Sequence, residues 1–285
     1  SMGNNSWHCH KHSYICLVYK VKKNKVNKTG EERFNEYYSS LYLDRWPELK
    51  EALKGKNEEK VLLPNLLSPY YMDEASIIAA SLLPVENGDS VLDMCAAPGG
   101  KSLVIASRLG SKGSLVANDR SPERRMRMKN VFSSCLGETS LDIKITGYNA
   151  ESWGLYEQNK YDAILLDAPC SSERHVINDP KYLSAWSESR PKRLSISQYA
   201  MLSSALIAVK ENGFILYSTC SINSEENEGV IAKLLTRHSS EVDIIDTKCD
   251  YGEKRKYGTL ILPDRSNGIG PMYFCLIRKR GQNAE

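Results

Sequence analysis

The sequence VLDMCAAPGGK at residues 91–101 decides the fold of this chain. Its apolar start is typical of a buried strand, and the turn of alanine, proline and glycine leads into a helical pattern that runs through Arg108. Gly99 and Gly100 let the backbone approach a ligand closely, and the first turn of a helix favours a negatively charged group. The stretch therefore predicts a strand, a ligand-binding turn and a helix.

The same alternation continues along the chain. Further strands are predicted at residues 115–118, 143–146, 163–166, 214–217 and 271–277. Helices are predicted at residues 33–54 in two parts, and at 73–82, 122–134, 196–209 and 224–238. Strands that alternate with helices favour a mostly parallel sheet with helices on both faces. We therefore expect an α/β fold with a doubly wound sheet.

The composition is that of a folded protein. The chain has 285 residues, of which 41% are apolar and 26% are charged, and its net charge is +3. This small charge predicts only weak general attraction to polyanions, and no apolar run approaches the length of a membrane span. Eight cysteines without paired spacing, in a chain too large to need disulfides, favour a reducing compartment, mitochondrial or cytoplasmic.

The beginning of the chain differs from the rest. Residues 1–30 contain several lysines but no aspartate or glutamate, which favours an arm that contacts RNA phosphates. His8, Cys9 and His10 have a spacing that matches no common zinc pattern, so no metal is predicted. We divide the chain into a basic arm with a helical extension at residues 1–60 and one larger domain at residues 61–285.

Two cysteines follow predicted strands. Cys170 stands in the sequence DAPC after residues 163–166, and Cys220 in the sequence STC after residues 214–217. Ligands of open α/β sheets bind just beyond the carboxyl ends of the strands, where both thiols would lie. The pair predicts thiolate chemistry at this edge. For either cysteine alone, the alternative is a small buried apolar side chain.

The glycine turn and Asp119 together predict a cofactor. Asp119 ends the second strand, where an acidic side chain can hold a ribose diol. The turn is neither G-x-G-x-x-G nor a P-loop, so it is not expected to bind a pyrophosphate. A nucleoside whose other end is a carboxylate fits both features, and S-adenosylmethionine is such a cofactor.

The complete set of motifs resembles the Sun-type RNA (cytosine-5) methyltransferases. The resemblance rests on VLDMCAAPGGK, on DAPCSSERH at residues 167–175 and on YSTCS at residues 217–221. The sequence GPMYF at residues 270–274 is similar to the mitochondrial ribosomal-RNA subgroup. The resemblance covers residues 31–280 and implies a class I S-adenosylmethionine-dependent methyltransferase fold, with a mostly parallel seven-stranded sheet and one late antiparallel strand.

The resemblance also implies roles for individual residues. Cys220 would be the nucleophile, Cys170 would assist release of the product, and Lys101 and Asp167 would lie beside the target base. Asn149 stands where the family usually has an aspartate near the adenine. The cofactor-binding set implied by the resemblance is Cys95, Ala96, Ala97, Pro98, Gly99, Gly100, Lys101, Asp119, Arg124, Asn149 and Asp167.

The chemistry of cytosine requires these residue types. C5 becomes nucleophilic enough to take a methyl group from a sulfonium only after a thiolate has added to C6, which is covalent catalysis by an activated cysteine. A nearby cation such as Lys101 favours the thiolate, and Asp167 can share a proton with N3. The target cytosine must be single-stranded or flipped out of a helix to reach such a site.

Basic clusters are expected to contact RNA, with charged solvent-exposed surface as the alternative. We expect RNA, and ribosomal RNA in particular, as the partner, without DNA or membrane. Targeting would depend on the N-terminal region or on a partner protein, because no separate RNA-binding domain is evident. The clusters are Arg124, Arg125, Arg127 and Lys129, then Arg190, Lys192 and Arg193, then residues 254–256 and 278–280.

Two other functions stay open at this point. In a DNA cytosine-5 methyltransferase the nucleophile would be Cys170, usually followed by glutamine, whereas Ser171 follows here and Cys220 would be unexplained. A catalytically silent scaffold that binds the cofactor and RNA is the second alternative, although the presence of both thiols and Lys101 argues against it.

Overall fold

The computed structural model describes residues 27–55 and 60–282. The basic residues up to Lys25 and the candidate ligands His8, Cys9 and His10 therefore lie outside the described residues. No helix of the described part is both long enough and apolar enough to cross a membrane.

The described residues form eleven strands and nine α-helices, with short 3-10 helices at Leu43–Arg45 and Ala150–Leu155. The strands are β1 Lys60–Leu62, β2 Tyr71–Asp73, β3 Ser90–Asp93, β4 Ser114–Asn118, β5 Asp142–Thr146, β6 Tyr161–Asp167, β7 Val209–Thr219, β8 Val242–Ile245, β9 Gly252–Lys254, β10 Thr259–Ile261 and β11 Met272–Lys279. The α-helices are α1 Gly30–Tyr42, α2 Trp46–Lys54, α3 Glu74–Leu82, α4 Gly100–Leu109, α5 Pro122–Leu136, α6 Glu173–Asn178, α7 Pro180–Ser184, α8 Ser189–Ala208 and α9 Glu228–His238.

The large sheet has the expected core and two additional strands. Its order is β5-β4-β3-β6-β7-β11-β10-β9, and β8 pairs with β11. Strands β3 to β7 are parallel, and β11 runs antiparallel to β7, which confirms the late antiparallel strand. The sequence predicted seven strands, and the sheet contains two more, β9 and β10. These strands have three residues each, too few to show an alternation of apolar and polar residues in the sequence.

Two predicted helices have different starts in the structure. The helix predicted at residues 196–209 is α8, which already begins at Ser189 because Pro191 is compatible with a first helical turn. The helix predicted at residues 224–238 is α9, which begins only at Glu228. Before it, the side chain of Asn223 accepts from Glu225 N at 2.9 Å and holds a turn.

Helix α1 brings aromatic side chains to the core beside the main sheet. Phe34, Tyr38 and Trp46 are buried together with Trp186, and the rings of Phe34 and Trp186 are 5.4 Å apart. This packing carries the Tyr38 hydroxyl towards the ends of β6 and β7. The division of the chain at residue 60 stays a prediction.

Candidate active site

A cavity of about 830 Å³ opens at the carboxyl ends of the central strands. Lys101, Asp167, Cys170 and Cys220 all line it, so the structure brings the four predicted catalytic residues together. A smaller cavity of about 380 Å³ adjoins it, and the two share Cys95, Ala97, Lys101, Asp167 and other residues of their walls. The two cavities offer room for a base and for a cofactor side by side.

Lys101 and Asp167 form an ion pair in the wall between the cavities. Lys101 Nζ donates to Asp167 Oδ2 at 2.7 Å, and Ser218 Oγ donates to Asp167 Oδ1 at 2.8 Å. Burial disfavours the charged amine, but the adjacent carboxylate outweighs burial and raises the pKa of Lys101. The pair therefore holds the carboxylate in one orientation, and at Cys220 the negative charge of Asp167 raises the pKa against the lowering effect of Lys101.

The two thiols are in contact. Cys170 Sγ lies 3.2 Å from Cys220 Sγ, and Ser172 Oγ lies 3.3 Å from Cys220 Sγ. The hydrogen bond from Cys170 lowers the pKa of Cys220 against the effect of burial, with further help from Ser172 and Lys101. The same contact and burial raise the pKa of Cys170. The arrangement thus favours a thiolate at Cys220 and a thiol at Cys170.

The glycine turn is shaped for a close approach. Gly99 has φ +110° and begins α4 in a left-handed conformation, and a Cβ atom there would lie 3.0 Å from Phe132. A Cβ atom on Gly100 would lie 3.0 Å from both Met72 and Tyr70, in the wall of the smaller cavity. The preceding residues Cys95, Ala96, Ala97 and Pro98 also line this cavity, and the backbone of Ala96 is held by the carbonyl of Asn118 at 2.8 Å.

Asp119 and Arg124 are paired across the turn. Arg124 Nη1 lies 3.2 Å from Asp119 Oδ2, and Arg124 Nη2 donates to the carbonyl of Ala97 at 2.7 Å. Ser121 N donates to the other oxygen of Asp119 at 3.0 Å. Arg124 lines the larger cavity, whereas Asp119 lines neither cavity and stays 4% exposed behind it. Asp119 can therefore hold a ribose only if its bond to Arg124 opens or is shared.

Asn149 is not brought to either cavity. Its side-chain oxygen accepts from Glu151 N at 3.1 Å and caps the 3-10 helix that follows. The residue is exposed, beside Tyr148. Its capping role explains its position without a ligand, and a cofactor contact stays a prediction.

A family model described as "16S rRNA methyltransferase RsmB/F" matches residues 80–277. The chain belongs to this family. It is 34% identical over 229 residues to the 5-cytosine rRNA methyltransferase NSUN4 of Bos taurus, and this match covers 74% of this chain and 59% of that protein. It is 27% identical over 249 residues to a mitochondrial tRNA (cytosine(34)-C(5))-methyltransferase of Mus musculus, which covers 84% of this chain and 70% of that protein.

Among solved structures, the chain is similar to NSun6 from Pyrococcus horikoshii with SFG. The TM-score is 0.66 at 25% identity, and the match covers 77% of this chain and 57% of that one. The fold is that of the class I S-adenosylmethionine-dependent methyltransferases, and S-adenosylmethionine is the cofactor of the RsmB/F family. The chain spans less than two thirds of the length of the NSUN4 relatives that it matches.

The structure of this RsmB/F-family chain adds Asp93 to the predicted cofactor region. Asp93 ends β3, is 1% exposed, and accepts from Ser102 Oγ at 2.7 Å through Oδ2. Its Oδ1 atom has no partner among the described residues, and the residue lines the smaller cavity. Burial raises the pKa of Asp93 to about 7. An ionisable group directly after an apolar strand was the available signal in the sequence.

A second group of residues that the sequence analysis did not name lies behind the cysteines. Glu173 and Glu226 are both 0% exposed, and the Ser221 hydroxyl lies between them. Burial raises the pKa of both carboxyl groups, at Glu173 with the negative charge of Glu226 in addition. In the sequence these glutamates resemble ordinary surface residues of two loops, so no pattern identified them.

The rim of the larger cavity carries a pair of rings and an arginine. His175 and Tyr182 are exposed, and their ring centroids are 4.9 Å apart. Arg174 donates to the carbonyls of Gly268 and Ala52, both at 3.1 Å, and has no carboxylate within ion-pair distance in the described residues. Residues 171–195 are largely helical, and the first part of this segment forms one wall of the cavity.

In three of the four predicted basic clusters, some of the cations are paired with neighbouring carboxylates. Lys254 pairs with Asp246, Arg255 with Glu228, and Arg280 with Asp243. Arg127 pairs with Glu123 on the same helix. Lys129, Lys192, Arg193, Lys256 and Arg278 are exposed and have no carboxylate within 4 Å among the described residues; of these, Lys192 and Arg193 are adjacent on α8, which makes them a pair of candidates for phosphate contacts.

Proposed function

We propose that this chain carries the catalytic domain of an RNA (cytosine-5) methyltransferase that acts on ribosomal RNA. The observation that supports this most directly is the contact of two thiols with opposite pKa shifts, beside the Lys101–Asp167 pair. Two cysteines of which one is activated and the other stays protonated suit a reaction in which a covalent bond to the base is first made and then broken.

The smaller cavity fits S-adenosylmethionine. The backbone at Gly99 and Gly100 would receive its carboxylate, because the amides at the start of α4 point to this turn. The unpartnered Oδ1 of Asp93 would accept from its ammonium group, and Asp119 would accept from its ribose. When bound, the cofactor supplies a methyl group on a sulfonium.

Cys220 would begin the reaction. Its thiolate forms a bond to C6 of the cytosine, and the electron pair displaced from the C5–C6 double bond is taken up by the ring. A protonated Asp167 would donate its proton to N3 as that charge develops and become the carboxylate that Ser218 and Lys101 hold in place. The Cys170 thiol donates to the Cys220 sulfur before attack.

The product is released when solvent water takes the C5 proton, the electrons of that C–H bond restore the C5–C6 double bond, and the bond between C6 and Cys220 breaks. The bonding electrons return to sulfur, so Cys220 leaves as a thiolate. The same hydrogen bond from Cys170 stabilises this leaving group, which is the physical reason that a second cysteine assists release.

RNA is the proposed substrate because a base-stacking surface includes His175 in the wall of the larger cavity, and helix α8 carries exposed cations without carboxylate partners in the described part of the chain. The His175–Tyr182 pair can stack against a nucleotide beside the target, and Lys192 and Arg193 can contact phosphates. The name of the bovine relative specifies rRNA, and that of the mouse relative tRNA. A reducing compartment, mitochondrial or cytoplasmic, and a targeting partner protein are further parts of the proposal.

Transfer of a labelled methyl group tests the proposal. The protein is incubated with tritiated S-adenosylmethionine and, in separate reactions, small-subunit rRNA, tRNA and double-stranded DNA. We expect label in 5-methylcytosine of rRNA. Label in DNA would favour the DNA methyltransferase, and cofactor binding without label in any polymer would favour the silent scaffold.

A further inference from the structure

Behind the two cysteines, three buried side chains form a continuous polar chain. Ser221 Oγ lies 2.9 Å from Glu173 Oε1 and 3.1 Å from Glu226 Oε2, and all three residues are 0% exposed. A hydroxyl has a single hydrogen and cannot donate to both oxygens. No lysine, arginine or histidine of the described residues lies within 4 Å of either carboxyl group. Two buried negative charges around one hydroxyl would be unstable, so the pair needs a proton.

The other donors indicate which glutamate carries this proton. Glu173 faces donors at both oxygens: Ile222 N at 3.1 Å on Oε2 and the Tyr38 hydroxyl on Oε1. Glu226 Oε1 accepts from Ser171 N at 2.8 Å and from Gln198 Nε2 at 3.0 Å. Within the described residues, Glu226 Oε2 has only the Ser221 hydroxyl as a partner, which makes it the oxygen that can carry a hydrogen.

We propose that Glu226 is a protonated positioning residue that donates to Ser221, which in turn donates to an ionised Glu173. The chain of hydrogen bonds runs from Glu226 Oε2 through Ser221 Oγ to Glu173 Oε1. The presence of this proton does not depend on the reaction, whereas its role in catalysis rests on the proposed function.

The consequence for the site is geometric. Glu226 holds the backbone of Ser171, the residue after Cys170, and Ser221 is the residue after Cys220. Glu173 accepts a hydrogen bond from the backbone N–H of Ile222, the residue after Ser221. The three side chains thus tie the loop after β6 to the loop after β7. They keep the sulfur atoms at their 3.2 Å separation, on which the activation of Cys220 depends.

The titratable groups around the pair are weak acids. Tyr37 and Tyr38 face it from α1, Tyr217 from β7 and Cys170 from the loop after β6, and Glu225 adds a further negative charge nearby. Burial raises the pKa values of the tyrosines and of Cys170, so these groups stay neutral when the carboxyl pair titrates. The shared proton is therefore the group that responds as the pH rises from neutral.

Glutamine substitutions distinguish the two glutamates. In Glu226→Gln the amide oxygen can accept from Ser171 N and Gln198, and the amide nitrogen can donate to Ser221, so the chain is kept. In Glu173→Gln an amide N–H must face Ile222 N or Tyr38, so a hydrogen bond disappears. We expect alkylation of Cys220 by iodoacetamide at pH 7 to stay within about twofold in Glu226→Gln and to fall about tenfold in Glu173→Gln, as for removal of a charged hydrogen bond.

The proton is measured by unfolding at several pH values, without RNA. A pKa raised on folding makes the native state bind more protons, so stability present below the unfolded pKa is lost as the pH rises through the folded pKa. One proton lowers the folding equilibrium constant by up to about tenfold for each pH unit. We expect this fall above the unfolded pKa of glutamate in the wild type, and a weaker fall in Glu226→Gln. The matched control Glu228→Gln, which removes a carboxylate paired with Arg255, should keep the wild-type slope.

Two results would overturn the proposal. One is an equal decrease of Cys220 alkylation in both glutamine variants, which would remove the asymmetry. The other is an unchanged pH slope in Glu226→Gln. If a variant fails to fold, infrared spectroscopy of Asp93→Asn decides instead, because Asp93 is another buried carboxyl group with a raised pKa. A carbonyl band of a buried protonated carboxyl must persist in this variant at pH 7, and its absence contradicts the shared proton. None of these measurements depends on methyl transfer, so the proposal can fail separately from the proposed function.

Discussion

Cys170 Sγ lies 3.2 Å from Cys220 Sγ, across the ends of two adjacent parallel strands. Because a thiol that donates a hydrogen bond favours a thiolate on its partner, the two residues acquire different ionisation behaviour from the same contact. This one relationship accounts for both the activation of a nucleophile and the stabilisation of a leaving group.

Replacement of Cys170 by alanine should raise the pKa of Cys220, because the largest effect that lowers it is removed. Removal of a hydrogen bond to a charged group corresponds to roughly one pH unit. The measurement is the rate of Cys220 alkylation by iodoacetamide as a function of pH, with the modified peptide followed by mass spectrometry. Cys275→Ala, a buried thiol in β11, serves as the control and should leave the midpoint unchanged.

Serine substitutions should make the two cysteines fail in opposite ways. Cys220→Ser should bind RNA without forming a covalent bond, because a neutral hydroxyl adds poorly to C6. Cys170→Ser should attack and transfer methyl but release slowly, so that an adduct accumulates on a denaturing gel with rRNA and S-adenosylmethionine. An adduct that accumulates only in Cys220→Ser would exchange the two roles.

Replacement of Asp119 should weaken cofactor binding in the absence of RNA. Asp119→Ala removes charge-assisted hydrogen bonds to the ribose, which corresponds to about 1–3 kcal/mol of binding free energy. Calorimetry with S-adenosylmethionine measures the effect, and Asp142→Ala, an exposed carboxylate at the start of β5, is the matched control. Equal affinities of wild type and Asp119→Ala would leave Asp119 only its observed partners, Arg124 and Ser121.

The exposed cations Lys192 and Arg193 of α8 should determine part of the salt dependence of RNA binding. For single-stranded RNA, the slope of log K against log salt decreases by about 0.7 for each phosphate that is no longer neutralised by the protein. We expect a decrease of about 1.4 in the double variant Lys192→Ala, Arg193→Ala, since two phosphates would be without their cation. The measurement is fluorescence anisotropy with a labelled oligocytidylate. Arg280→Ala, whose guanidinium already pairs with Asp243, should keep the wild-type slope. The same slope in all three proteins would assign Lys192 and Arg193 to solvent-exposed surface.

Much of the fold could be predicted from the sequence because the central strands are short apolar runs that end at turn residues. The run before Asp93 and the run before Asp167 became β3 and β6, next to each other in the sheet. Strand β9, with the sequence Gly252-Glu253-Lys254, has no such signal and is held by pairing with β10. Its position follows from tertiary contacts, among them the two hydrogen bonds from Arg45 to Glu253.

The candidate catalytic residues could also be predicted, since Asp167 ends β6, Cys170 and Cys220 follow the ends of β6 and β7, and Lys101 lies in the first turn of the helix that follows β3. The sequence by itself determined that Lys101, Asp167, Cys170 and Cys220 meet at one edge of the sheet, because the order and direction of parallel strands bring their ends together. Only the tertiary structure decided the ionisation of these groups. It placed Cys170 in contact with Cys220, Arg124 on Asp119, and the carboxyl groups of Glu173 and Glu226 in a buried space around Ser221. Ionisation depends on distances of a few ångströms and on exclusion of water, and these are properties of packed side chains that no order of residues along the chain specifies.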